Sequence, residues 1–226
     1  MPRLMTKAEI TEAFARWQAA NPHPVTELEY ATPFQLLVAV VLSAQATDKG
    51  VNLATRRLFP AAPTPEAMLS LGEAGISDAI KTIGLFRNKA RNVAMLCHQL
   101  LERHGGEVPR DRAALEALAG VGRKTANVVL NAVWHEPVMA VDTHIFRVAN
   151  RMGLSPGKDV RAVEDALMRR IPKKYLADAH HWLILHGRYI CTARSPKCGQ
   201  CAVRDLCQSS DKTDNPTQSS ALGPQH

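Results

Sequence analysis

The stretch Leu118-Ala119-Gly120-Val121-Gly122-Arg123-Lys124-Thr125-Ala126 decides the fold. Helical apolar spacing leads into it from Arg112 and resumes beyond it from Arg123 to Trp134. Two helices therefore flank a turn with glycine at alternate positions. Gly120 and Gly122 allow backbone conformations closed to other residues and let a partner approach closely. Val121, between them, is placed to anchor the turn in the core. The N–H groups of the turn and of the next helix's first turn then point outward and form an anion site suited to a DNA phosphate. Such a grip reads no base sequence. The plain alternative is a helical hairpin with a glycine stop.

Helix signals continue outward from the hairpin. Thr6 to Ala20 carries Ile10, Phe14 and Trp17 at helical spacing, with Thr6 as N-cap. Pro33 to Ala44 reads as a helix with proline in its first turn. Thr47 or Asp48 caps a third helix through Phe59, with capping ranked first for Asp48, and 60–65 reads as a connection. Pro65–Leu71 and Ile76–Ile83 read as short helices broken at Gly72, Gly75 and Gly84. Asn88 to His104 is one long helix, stopped by Gly105-Gly106. Asp142 or Thr143 caps a helix that ends at Gly153; Asp159–Arg170 and Lys174–Arg188 complete the set. No segment alternates as a strand does, so an all-α protein is expected. Residues 209–226, rich in Ser, Thr, Pro and Gln, are expected to be disordered.

Of the 226 residues, 46% are hydrophobic, which excludes wholesale disorder. The longest apolar run, Leu36–Leu42, falls far short of the ~20 residues of a membrane span. Met1–Ile10 lacks the apolar core of a signal peptide, so a cytoplasmic protein is expected. The net charge is +7; residues 209–226 carry two Asp and one Lys, so the rest carries +8. A body that basic points to a polyanion, nucleic acid first, against plain solubility charge.

Cys97 stands alone and reads as a small apolar core residue. Cys191, Cys198, Cys201 and Cys207 fall within 17 residues. In a reducing cytosol such a group suits metal better than disulfides. Residue chemistry alone leaves the metal open, since zinc takes four thiolates and so does a [4Fe–4S] cluster.

Taken in order, the motifs resemble the endonuclease III family of DNA glycosylases from about Pro33 to Cys207. The resemblance is carried by Leu42–Asp48, Lys81–Leu85, the hairpin, Val141–Val148, His180–Arg188 and the cysteine intervals. One departure is Ala119, where the family often has proline; a slightly looser turn is expected there.

The resemblance implies two helical lobes flanking a DNA-binding cleft. One is a six-helix barrel lobe at 24–136 with the hairpin; the other joins 1–23 to 137–208 and holds an iron–sulfur cluster loop. It makes Lys124 the nucleophile. That amine must be neutral against a free pKa of ~10.4; the helix N-terminus, partial burial and Arg123 all push that way. It attacks the sugar C1′ of a damaged nucleotide, the base leaves, a Schiff base forms, and β-elimination cuts the strand 3′ to the lesion. Asp142 is implied as the carboxylate that stabilises the oxocarbenium-like charge, compatibly with an N-cap role. His144 lines the pocket or contacts a phosphate.

A glycosylase extrudes its target nucleotide. The resemblance assigns Gln45 to fill the gap and Leu85 to wedge the opposite strand. Gly120, Val121, Gly122, Arg123 and Thr125 form the hairpin's DNA contact. Cys191, Cys198, Cys201 and Cys207 are implied to hold a [4Fe–4S] cluster, with Arg194 and Lys197 gripping phosphates. The implied protein is a monomeric, nucleoid-associated, bifunctional DNA glycosylase and AP lyase of base excision repair. Its partner is double-stranded DNA with damaged bases or abasic sites, and its substrates are oxidised or ring-damaged pyrimidines. Mismatch glycosylases on the same scaffold usually lack the lysine, and a non-catalytic lesion sensor needs neither Lys124 nor Asp142.

Overall fold

Thr32 starts the most apolar helix of the chain: its hydroxyl accepts the Gln35 amide, and Pro33 takes the first helical position. This helix, α2 (Pro33–Leu42), buries every residue from Phe34 to Leu42. A helix apolar on all sides must be enclosed, and α3 (Asp48–Ala61), α5 (Phe86–His104) and α7 (Arg123–Trp134) pack against it. The computed structural model describes residues 3–213. Among these it is wholly helical, with α1 (Lys7–Ala20), α4 (Pro65–Ala79), α6 (Arg112–Glu116), α8 (Thr143–Met152), α9 (Val160–Arg170) and α10 (Leu176–Tyr189) as the other helices. Short 3-10 turns occupy Lys173–Tyr175 and Cys198–Gln200.

The chain divides into two compact units. The central unit, Val25–Ala140, is continuous and holds α2 to α7. Its core includes Leu36, Leu37, Leu58, Met68, Ile76, Leu96 and the fully buried Cys97. Residues 137–140 belong here because Asn127 Nδ2 of α7 donates to Met139 O at 2.9 Å, and Asn131 Nδ2 donates to Glu136 O at 2.8 Å.

The terminal unit combines residues up to Pro24 with those from Val141 onward. Thr6 and Glu9 close a capping box on α1. That helix drives Phe14 and Trp17 into an aromatic cluster with Tyr175 and Trp182, with ring centroids 5.0–6.1 Å apart. Trp182 Nε1 also donates to Asn21 O at 2.8 Å.

Several boundaries differ from the sequence expectation. Thr47, not Asp48, caps α3; its hydroxyl accepts the Gly50 amide at 3.1 Å. The same helix runs through Pro60, because only one amide is lost near its end and Ala62 N still closes on Leu58 O. Between Pro65 and Ala79 the expected break at Gly72 is present, where φ 73° and ψ 166° separate two helical stretches, while Gly75 lies inside the second of them. Of the tail expected to be disordered, residues up to Thr213 are described, and Thr213 Oγ1 donates to Pro196 O at 2.7 Å. The rest of that expected tail, 214–226, lies outside the described residues.

Candidate functional site

The hairpin between α6 and α7 is built as its sequence requires. Val121 is buried in the core, and its amide donates to Leu118 O. Gly120 takes φ +76°, and a Cβ there would stand 3.1 Å from Asn92 Cβ and 3.2 Å from Val41 Cγ1. The left-handed conformation favours glycine at that position, and the space left for a side chain is tight. Gly122 differs: its φ is −97°, and an added Cβ would meet nothing within 4 Å. It N-caps α7 and offers no side-chain acceptor to the first turn, which leaves a surface where an external anion can be received. The Ala119 amide, which proline would lack, donates to Gln99 Oε1 at 2.7 Å. Ala119 thus adds a tie to α5 in place of the looser turn expected.

Lys124 lies in the first turn of α7 and is exposed, so the expected partial burial is absent in the free protein. Arg123, beside it, faces Glu116 at 3.9 Å. Thr125 is half-buried on the same turn.

Two other exposed residues of the central unit stand on strained backbone. Gln45 has φ 54° and Leu85 has φ 59°, the left-handed region. Leu85 precedes α5 and is 57% exposed, a large apolar side chain held toward solvent. The Gln45 carbonyl lies 4.0 Å from where a Gly84 Cβ would stand, so the two turns are neighbours. One turn further along α5, Lys89 is only 4% exposed and its Nζ has no hydrogen-bond partner.

In the terminal unit, Asp142 caps α8: Oδ1 accepts the Ile145 amide at 2.8 Å. No described residue bonds its other oxygen, so the cap and a free carboxylate oxygen coexist. His144 is half-buried in the first turn of α8, and Arg147 Nη2 lies 3.2 Å from its Nδ1.

The four cysteines line one pocket with about 380 Å³ of space free of protein atoms, part of it open to solvent. None is in a disulfide. Among the described residues, no three His, Cys, Asp or Glu side chains are grouped as ligands of a single ion. Four thiols around a shared cavity is the donor arrangement of an iron–sulfur cluster held by cysteine alone. Burial pushes the Cys201 thiol up to about 11 and raises Cys207, so their thiolate forms belong to the ligated state.

An arginine donor and an imidazole nitrogen face two of the sulfurs. Arg151 Nη1 lies 3.7 Å from Cys191 Sγ and also donates to Thr192 O at 2.7 Å. His186 Nε2 lies 3.8 Å from Cys201 Sγ, and burial pushes this imidazole down to about 4, keeping it neutral. Hydrogen bonds onto cluster sulfurs are a familiar stabilising and tuning device. Arg194 and Lys197 project outward and are exposed.

Sequence reasoning missed Arg16, Arg147 and Arg151. Arg16 of α1 reaches Asp205 at 2.7 and 3.1 Å and Ala202 O at 2.9 Å, pinning the last cysteine loop. Arg147 and Arg151 stand four apart on α8, a visible same-face pattern. Their backbone acceptors lie 40 or more residues onward, beyond any local signal.

Comparison with known proteins places these features in context. Residues 38–173 match the model of the HhH-GPD superfamily base excision DNA repair protein. Residues 191–207 match the iron–sulfur binding domain of endonuclease III. Endonuclease III of Haemophilus influenzae is 58% identical over 210 residues, covering 93% of this chain and all of that protein. Endonuclease III of Escherichia coli shows the same identity and coverage. A trapped endonuclease III–DNA covalent intermediate superposes with TM-score 0.85 at 45% identity, covering 91% of this chain and 97% of the other. A thermostable thymine-DNA glycosylase superposes with TM-score 0.78 at 25% identity, covering 92% and 95%.

Proposed function

The chain belongs to the endonuclease III family of HhH-GPD base excision DNA repair proteins, and on that premise we propose that Lys124 and Asp142 are its catalytic pair. The protein is a DNA-binding bifunctional DNA glycosylase and AP lyase that carries a [4Fe–4S] cluster. The observation that carries the residue assignment is Lys124 itself: an exposed amine on the first turn of α7, directly after a hairpin that leaves its phosphate-binding face open.

In the proposed reaction the Lys124 nitrogen bonds to C1′ as the N-glycosidic bond breaks and the base departs. The sugar ring opens to a Schiff base. Loss of a C2′ proton then expels the 3′ phosphate, and water releases the lysine. Asp142 supports the positive charge at C1′ through the oxygen that the cap does not use. The hairpin glycines and Thr125 hold a phosphate, and Arg123 adds positive charge. Gln45 enters the vacated space and Leu85 wedges the opposite strand, a role its outward apolar side chain supports.

Cys191, Cys198, Cys201 and Cys207 hold the cluster, which supplies structure to the loop and no step of the chemistry. Arg194 and Lys197 reach phosphates from that loop. The substrates are oxidised pyrimidines in double-stranded DNA, together with abasic sites. The protein acts as a monomer on the nucleoid; no helix among the described residues is long and apolar enough to cross a membrane.

Borohydride trapping on duplexes carrying thymine glycol or an abasic site tests this reading, with wild type and Lys124→Gln. A covalent band with both duplexes that disappears in the variant is expected. A band with the abasic duplex alone would reduce the protein to a lyase of other base specificity. No band with either would overturn the mechanism.

A further inference from the structure

Arg147 makes three contacts that no part of the proposed reaction requires. Its Nε donates to Cys191 O at 3.1 Å, and its Nη2 donates to Gly187 O at 2.7 Å. The same Nη2 lies 3.2 Å from His144 Nδ1. One guanidinium therefore joins the first turn of α8, the last turns of α10 and the backbone of the first cluster cysteine. All of these lie in the terminal unit.

The third contact has a definite chemical sense. A guanidinium has N–H donors and no acceptor. His144 Nδ1 must therefore accept, which places the ring proton of the neutral imidazole on Nε2. No described residue engages that Nε2. The turn that carries His144 is also packed from behind, because a Cβ on Gly187 would stand 2.9 Å from His144 Cβ and 3.2 Å from His144 O. α10 thus packs its bare backbone against His144 while Arg147 orients the imidazole.

We infer that Arg147 is a positioning residue: it holds His144 in the Nε2–H tautomer as a donor to a DNA phosphate, and it locks the turn bearing Asp142 and His144 to the Cys191 backbone. A planar fork with several donors can span three acceptors on three segments; a lysine ammonium cannot do so in one geometry. Asp142 is two residues before His144 on the same helix start, so motion of this turn moves both. The inference rests on the placing of Asp142 in the reaction given above and on the phosphate contact that the family resemblance offers for His144.

The test reads the tautomer directly. The holoprotein with 15N-labelled histidine is examined by long-range 1H–15N NMR, with His144 assigned by comparison with His144→Gln. The wild type should show a protonated Nε2 and an unprotonated Nδ1. Arg147→Met should give mixed tautomers and slow single-turnover base excision about tenfold through lost orientation. Its iron content should stay near wild type, while abasic-duplex affinity falls several-fold with the weakened phosphate contact. Arg147→Lys, which keeps the charge and one donor direction, should recover part of the rate.

A wild-type His144 with its proton on Nδ1 overturns the inference, whether or not any variant folds. So does an Arg147→Met protein with an unchanged tautomer and unchanged excision rate. Loss of Schiff-base trapping would strike the catalytic assignment of Lys124 and leave this spectrum untouched, so the two failures are distinct.

Discussion

Gln45 and Leu85 share a left-handed backbone conformation, φ 54° and 59°, and both stand exposed on neighbouring turns. Neither residue type favours that region, where a non-glycine backbone costs roughly 1–2 kcal/mol. Such strain persists where surrounding structure fixes it and is concentrated at working surfaces. Leu85→Gly removes the strain and adds back some entropy to the unfolded chain, for a net stabilisation of about 0.5–1 kcal/mol. It also removes the wedge. A higher melting temperature together with slower base excision is expected; a lower melting temperature or undiminished excision would contradict the assignment.

Asp142 separates its two roles by substitution. Asn caps as well as Asp, so Asp142→Asn should keep the melting temperature within about 1 °C. It should lose most base excision while still binding abasic DNA. Asp142→Ala should lose both excision and about 1 kcal/mol of stability, read from urea unfolding. Near-normal turnover by Asp142→Asn would remove the carboxylate from the mechanism.

Arg16 pins the loop that carries Cys201 and Cys207 by bonds to Asp205 and Ala202 O. Arg16→Gln should accelerate iron release to a chelator several-fold at neutral pH while leaving the helix content of the holoprotein unchanged by circular dichroism. Equal release rates would mean that the loop is held by the cysteines alone.

Lys89 gives a pH dependence with a fixed sign. Burial lowers its pKa from 10.5, and its amine has no partner. Between the lowered folded value and 10.5 the unfolded state binds more protons, so stability rises with pH across that window. Below the folded value the penalty is constant. Lys89→Met should flatten this rise and stabilise the protein at neutral pH by about 1 kcal/mol. Urea unfolding of both proteins from neutral pH to pH ~10 provides the measurement, bounded above by the ordinary lysine value.

The parts legible in the sequence are those governed by local rules. The hairpin, the Thr6 and Asp142 caps, and the helix from Arg123 to Trp134 follow from residue type and spacing within a few positions. The cysteine intervals mark the metal loop in the same way. Lys89 was not legible, because lysine ordinarily carries its charge to water and nothing near it in sequence signals burial. The strain at Leu85 was equally hidden, since a leucine adopts positive φ only when tertiary packing compels it. Arg147 and Arg16 were hidden for another reason: the acceptors that tie them to the cysteine loop come from distant segments. Ala119 shows the limit of resemblance, for its free amide gains Gln99 as a partner where a proline would have had none.

The terminal unit sets an order for biosynthesis. Its N-terminal segment is joined to partners far along the chain: Met5 N, ahead of α1, bonds to Gly153 O, and Arg16 of α1 meets Asp205 across 189 positions. During translation Arg16 leaves the ribosome roughly 10–40 s before Asp205. The continuous Val25–Ala140 unit can close in that interval, while Phe14 and Trp17 wait without the rings they later pack against. α1 is thus synthesised before the central unit and completed after it, with its aromatic face uncovered in between.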